Sequence, residues 1–243
     1  MDETYTTQAI ILKREPYRER DSRIVALCAE RGKLELVVRG TGSFKSKMAG
    51  HIEPASIADI MVIRGRICDY AGSVLSENAY PNIKTDLARI SLAGRALKTA
   101  DKAVNLNEAE GASDLFALLK GYLDILEAAV KEEADQDGFF YFFLLKLLII
   151  LGYAPELYDC RQCGKRIVSG KNFFSPEKGG LECGNCHKEF DKKDLLISDD
   201  CVKVLRLVIK SELIKLSRLK INNKLSKEVN DIIGSFKNYH VDF

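Results

Sequence analysis

The chain has 243 residues, of which 46% are hydrophobic and 30% charged, with a formal net charge of +2. This is ordinary globular chemistry, enough for one to three domains, and the overall balance says little about partners. Seven cysteines, an odd count, follow an N-terminus ("MDETYTTQAIILK") that lacks a basic start and a long apolar run, which argues against a secreted disulfide framework and for a reducing cytoplasm.

Residues 6–80 read as strands. "QAIILK", "SRIVALCAE", "KLELVVRG", "ASIADIMVIRG" and "ICDYAGSVLSENAY" are β-branched and partly alternating, with turns at "ERGK" and around Gly65. About five short strands and one long loop at 40–54 fit a small closed barrel of the OB type. A small open sandwich is the other solution. Such folds bind oligonucleotides, oligosaccharides or protein tails, so the fold alone selects no ligand.

From residue 83 the period becomes helical. Leu87, Ile90, Ala93 and Leu97 mark one buried stripe, and Leu115, Leu118, Leu119, Tyr122, Leu126 and Ala129 a second. The most apolar stretch, "FFYFFLLKLLIILGY" at 139–153, contains Lys146 and is shorter than the roughly 20 apolar residues of a spanning helix. It predicts a core helix over 138–151, stopped by Gly152 and Pro155. After a cysteine-rich segment, "LLISDDCVKVLRLVIKSELIKLSRL" resumes the helical period, with Ser198 as cap and Leu205, Ile209, Leu213 and Leu216 as buried stripe. Lys203, Arg206 and Lys210 share another face. A last helix covers 223–237. The expected organisation is α+β: a barrel domain over 1–80, then a helical domain over 81–243 with a four-cysteine, zinc-ribbon-like element inserted at 155–194.

Within that element the spacing is Cys160-x2-Cys163-x19-Cys183-x2-Cys186. A two-residue gap lets both thiolates of a pair reach one ion, and a connecting loop of about 15–20 residues lets two pairs close a tetrahedron. "NFFSPEKGGLEC" between them reads as strand, bend at Gly179-Gly180, and strand. This is a zinc-ribbon arrangement. A redox pair would need a βαβ context the region lacks, and an iron–sulfur cluster more often has other spacings. His187 adjoins Cys186 as an alternative ligand, with a surface position preferred. Four thiolates leave no place for substrate, so the zinc reads as structural. Cys28, Cys68 and Cys201 read as small buried hydrophobes.

No enzyme signature is present. "GTGSFKSK" at 40–47 has Lys45 where a phosphate loop needs its second glycine, and the three histidines are far apart. No catalytic residue is assigned. Charge is unevenly spread: nine acids against two bases in 108–137, and nine bases against three acids in 202–238. The loop "RGTGSFKSK" offers Arg39, Lys45 and Lys47 to phosphates and Phe44 to a base, beside Arg14 and Arg18 of the first hairpin. Lys203, Arg206 and Lys210 extend the candidate DNA surface.

"LGYAPELYDCRQCG" at 151–164, "FFSPEKGGLECGNC" at 173–186, "AIILKREPYRERDSRIVALCAERGKLELVVRG" and "GSFKSKMAGHIEPAS" together resemble the bacterial RecO family of recombinational repair mediators. Family members usually continue for a short segment where this chain stops at "NYHVDF". The resemblance implies a non-enzymatic, nucleoid-associated cytoplasmic protein that binds single- and double-stranded DNA and anneals complementary strands. It further implies single-strand-binding protein and RecR as partners, RecA loading as the outcome, and no membrane or small-molecule substrate. The other reading is an OB and zinc-ribbon module that binds RNA or protein without annealing.

Overall fold

The computed structural model describes residues 4–43, 46–106, 108–129, 136–187 and 193–241, with side chains omitted at 136 and 137. Strands β1 (Thr4–Tyr17), β2 (Asp21–Cys28), β3 (Gly32–Val38), β4 (Ile57–Ile63) and β5 (Asp69–Asn78) lie where the alternating runs predict them. In β2, Ser22, Ile24 and Ala26 point inward while Asp21, Arg23 and Val25 point out. The order β1-β2-β3-β5-β4 closes because the long β1 pairs with β2 along one part and β4 along another. A register shift between Ile11 and Lys13 bends β1 between these two tasks. Leu36 and Val37 of β3 meet Asp69 and Tyr70 of β5 in parallel. Closure settles the choice between barrel and open sandwich in favour of the OB-type barrel, whose core includes Ile11, Ile24, Leu36, Ile52, Ile60 and Val62.

Helices α1 (Pro81–Thr85), α2 (Leu87–Ala103) and α3 (Ala112–Ala128) follow. Asp86 caps α2 by accepting from the N–H groups of Ala88 and Arg89. The stripe expected on α2 is rotated: Leu87 is 82% and Ile90 44% exposed, whereas Arg89, Leu92, Ala93, Ala96, Leu97 and Ala100 are buried. Arg89 turns inward because its guanidinium donates to the carbonyls of Glu127 and Ala129, which end α3. That partner, invisible to hydropathy, sets the face.

Residues 1–129 form one compact unit and 130–243 another. Helix α2 packs on β1, and α3 on β2 and β3, so the first helices share the barrel's unit. The two compact units therefore divide at 129/130, while the barrel strands end at Asn78.

In the second unit, α4 (Gln136–Ile150) is apolar on nearly every side and packs against three helices: α5 (Asp199–Lys210), α6 (Leu213–Leu216) and α7 (Asn223–His240). Strands β6 (Asn172–Ser175), β7 (Gly180–Cys183) and β8 (Leu195–Ile197) form a three-stranded sheet in the order β7-β6-β8. Here the "LLI" that precedes the expected Ser198 cap is a strand, and the cap stands where the sequence put it. Ser198 caps α5 through the Cys201 N–H and is itself extended, which leaves the residues before it to pair with β6. The expected continuous helix also breaks, since Ser211 and Glu212 are extended between α5 and α6. Cys28 and Cys201 are buried as expected; Cys68 is half-exposed. No helix among the described residues is long and apolar enough to cross a membrane.

Candidate metal centre and nucleic-acid surface

Two tight backbone knuckles bring Cys160, Cys163, Cys183 and Cys186 together, with all four sulfurs within 4.8 Å of one another. In the first, Gly164 takes a left-handed φ of 70° and its N–H donates to Cys160 O at 2.8 Å. In the second, the N–H groups of Cys186 and His187 donate to Cys183 O at 2.9 and 3.2 Å. The β6–β7 hairpin supplies the second knuckle, and Glu156 ties the first to it. Its backbone pairs with Gly179 O and the Leu181 N–H, both at 2.9 Å. A Cβ on Gly180 would lie 2.4 Å from Glu156 O, so this close approach requires glycine. The Glu156 carboxylate accepts from the Tyr158 and Asp159 N–H groups, which holds it below the usual carboxylate range.

The donor set fits a tetrahedral thiophilic ion. Zn–S bonds of about 2.3 Å place neighbouring sulfurs roughly 3.8 Å apart, and Cys163 Sγ and Cys183 Sγ are 4.0 Å apart. Burial pushes the Cys160 thiol up, but backbone N–H donors led by Cys183 outweigh it and bring it to about 6. Cys186, hydrogen-bonded to Cys183 and Cys163, is pushed up to about 12. Four thiols this close do not ionise together without a cation among them.

His187 is not on the surface as expected. Its ring stacks on Phe173 with centroids 3.6 Å apart, and its side chain is 14% exposed.

The candidate DNA residues divide into exposed groups and struts. Arg18, Arg39 and Lys47 are exposed at one end of the barrel. Hydrogen bonds hold this end together: Gly40 N–H donates to Asp21 Oδ1 and Gly42 N–H to Arg20 O, both at 2.9 Å. Arg18 and Arg23 lie 5.2 and 4.6 Å from the Tyr17 ring, and Arg39 lies 4.4 Å from the Tyr70 ring. Arg14 is different: its guanidinium donates to Ala49 O, Ser22 Oγ and Glu53, fastening the 49–53 segment to β1. Phe44 and Lys45 lie outside the described residues.

In the second unit, Lys203 pairs with Asp200 at 2.8 Å in the open. Arg206 is half-buried, donates to Leu157 O at 2.9 Å, and stacks 4.6 Å from the Tyr158 ring. Lys210 and Arg166 approach the same ring at 5.2 and 4.9 Å. A groove of about 660 Å³ runs between β8 and α7, with Leu195, Ile197 and Ile232 in its lining and both bases (Lys171, Lys224, Lys227) and acids (Glu228, Asp231) beside them.

A family model described as "Recombination protein O N terminal" matches residues 1–69, and one described as "Recombination protein O C terminal" matches residues 84–243. The chain belongs to the recombination protein O (RecO) family. It is 30% identical over 238 residues to a protein of Desulforamulus reducens named DNA repair protein RecO, covering 98% of this chain and 90% of that one. A protein of the same name from Thermoanaerobacter is 31% identical over 237 residues, covering 97% and 92%. One from Roseiflexus is 32% identical over 235 residues, covering 97% and 80%.

The RecO resemblance read from the cysteine and barrel motifs is thus borne out along nearly the whole chain. Sequence reading missed Tyr17, Tyr70 and Tyr158, the rings that gather the arginines. The available signal was aromatic residues close to basic ones in "PYRER" and "RGRICDY".

Proposed function

We propose that this RecO-family chain is a non-enzymatic DNA-binding protein of recombinational repair in a RecF-type pathway. It binds single- and double-stranded DNA, anneals complementary strands, and helps load RecA onto DNA coated with single-strand-binding protein. The observation that carries this reading is the barrel end where exposed Arg18, Arg39 and Lys47 accompany Tyr17 and Tyr70. Cations there neutralise phosphates and rings offer stacking faces, neither of which reads sequence. Annealing requires that combination, because two strands must be held against their mutual repulsion without selecting bases.

Zinc on Cys160, Cys163, Cys183 and Cys186 is structural in this reading. Structural zinc contributes roughly 10–16 kcal/mol of apparent binding energy in small peptides, and it would lock the two knuckles onto one hairpin. The groove beside α7 offers aliphatic side chains to the apolar end of the acidic tail of single-strand-binding protein and Lys171, Lys224 and Lys227 to its carboxylates, against the acids Glu228 and Asp231, of which Glu228 is held by Ser198. RecR is a further partner, RecA an indirect one, and the place of action the nucleoid in the cytoplasm.

Fluorescence anisotropy with labelled single-stranded and duplex oligonucleotides across a salt series tests the reading. Each phosphate neutralised on a single strand adds about −0.7 to the log–log slope. A steep slope with little sequence preference, followed by accelerated annealing of complementary strands, is expected. Absence of binding at low salt would leave the barrel as a module for protein or RNA.

A further inference from the structure

Beside the thiol cluster lies a second convergence of ligand atoms. Glu182, His187 and Asp194 each bring one ligand atom to within 4.8 Å of the others. Glu182 Oε2, His187 Nδ1 and Asp194 Oδ2 are buried and have no hydrogen-bond partner among the described residues. Glu182 is fully buried, and the Asp194 side chain is 4% exposed. We propose that Glu182, His187 and Asp194 form a second divalent-metal site, separate from the four cysteines, that takes a zinc-class cation.

The local fold explains how the two sites stay apart. Side chains alternate along β7, so Glu182 and Cys183 leave opposite faces of the sheet. Phe173 pairs with Glu182 in the β6–β7 register and so shares its face. The Phe173 ring stacks on His187 and fixes the imidazole there. Asp194 arrives immediately before β8, whose Leu196 pairs with Phe173. Three chain segments thus deliver one donor each.

Distances agree with coordination. Zn–N and Zn–O bonds of about 2.1 Å at a tetrahedral centre separate neighbouring donors by roughly 3.4 Å. His187 Nδ1 and Asp194 Oδ2 are 3.4 Å apart. One imidazole with two carboxylates is a borderline donor set that suits zinc, cobalt or manganese over calcium. Protein supplies three ligands, and water takes the fourth position.

Lys178 holds the other Glu182 oxygen, Oε1, at 2.7 Å. Glu182 Oε2 is left buried with no hydrogen-bond donor among the described residues, the arrangement that folded proteins avoid. A single cation satisfies all three atoms at once. It would join the exit of the second knuckle to the entry of β8.

Cobalt titration of the intact chain separates the sites. Cobalt on four thiolates gives intense sulfur-to-metal charge transfer; cobalt on one nitrogen and two oxygens gives only weak visible bands. The expected result is two equivalents of cobalt per chain, one of each spectral kind. Glu182→Gln and Asp194→Asn should each weaken the sulfur-free equivalent by more than about 100-fold, beyond the loss typical of outer-shell partners. The thiolate bands should persist in both variants. A wild-type titration that stops at one thiolate equivalent overturns the second site while leaving the cysteine centre standing. Retention of the weak bands in both variants overturns it as well. Because the wild-type stoichiometry needs no variant, a misfolded Glu182→Gln chain would not rescue the proposal.

Discussion

Cys28 is wholly buried in the barrel, and burial raises its thiol to about 11 despite the opposing hydrogen bond with Thr7 and the charge of Arg31. A thiol with a raised folded-state value stabilises the fold below its unfolded value of about 8.5–9, and that contribution is lost as pH rises through the folded one. Stability measured by urea should therefore fall between pH 9 and 11, by about 2–3 kcal/mol from this group. Cys28→Ala should be less stable at neutral pH, through its cavity, yet fall less over that window. Gly32 sets a second test at the same scale. It has φ +69°, and a Cβ would lie 1.8 Å from Glu108 O, so Gly32→Ala should cost at least about 1–3 kcal/mol in urea denaturation. The cysteine spacing was readable in sequence because a knuckle is a local device of a few residues. The burial of His187 was not, because Phe173 and Asp194, its neighbours in space, come from separate strands or strand ends.

Elements were legible wherever hydropathy and turns agreed, as in the five barrel strands and α4. They were misread or passed over where a distant partner decided. Arg89, bound to the end of α3, rotates α2, and pairing with β6 makes a strand of Leu195–Ile197. The same logic divides the basic residues of α5. Arg206 holds the chain before Cys160 by donating to Leu157 O and stacking on Tyr158, whereas Lys203 is a solvated partner of Asp200. Arg206→Ala should therefore lower the unfolding free energy by about 1–2 kcal/mol, as the loss of a charged hydrogen bond and a ring contact implies, and leave the salt slope of DNA binding unchanged. Lys203→Ala should do little to stability. If Arg206→Ala flattened the salt slope without loosening the fold, its role as strut would be wrong. Cys160→Ser with Cys183→Ser should abolish thiolate-bound metal, read by atomic spectroscopy, and loosen the β6–β7 hairpin while the barrel keeps its transition.

At the scale of the molecule, a net charge of +2 says little, because some of the barrel's bases are taken up in ion pairs. Lys13 bonds Glu15, Arg14 bonds Glu53, and Arg23 sits 3.4 Å from Glu35. Among the described residues, this end of the barrel leaves exposed Arg18, Arg20, Arg39 and Lys47 to a polyanion, the first three on or beside the backbone knit by Asp21 and Gly42. Affinity for single strands should then depend on few cations and respond sharply to their removal. Replacing Arg18 and Arg39 with glutamate should shift the single-strand slope by about 1.4, the share of two phosphates, and weaken binding most at low salt. Thermal stability should change little, because neither side chain is buried. Arg14→Glu would instead cut loose the 49–53 segment and destabilise the barrel. An Arg18→Glu, Arg39→Glu chain with the wild-type slope would move the DNA surface off this end of the barrel, and the cations around Tyr158 would be next to test.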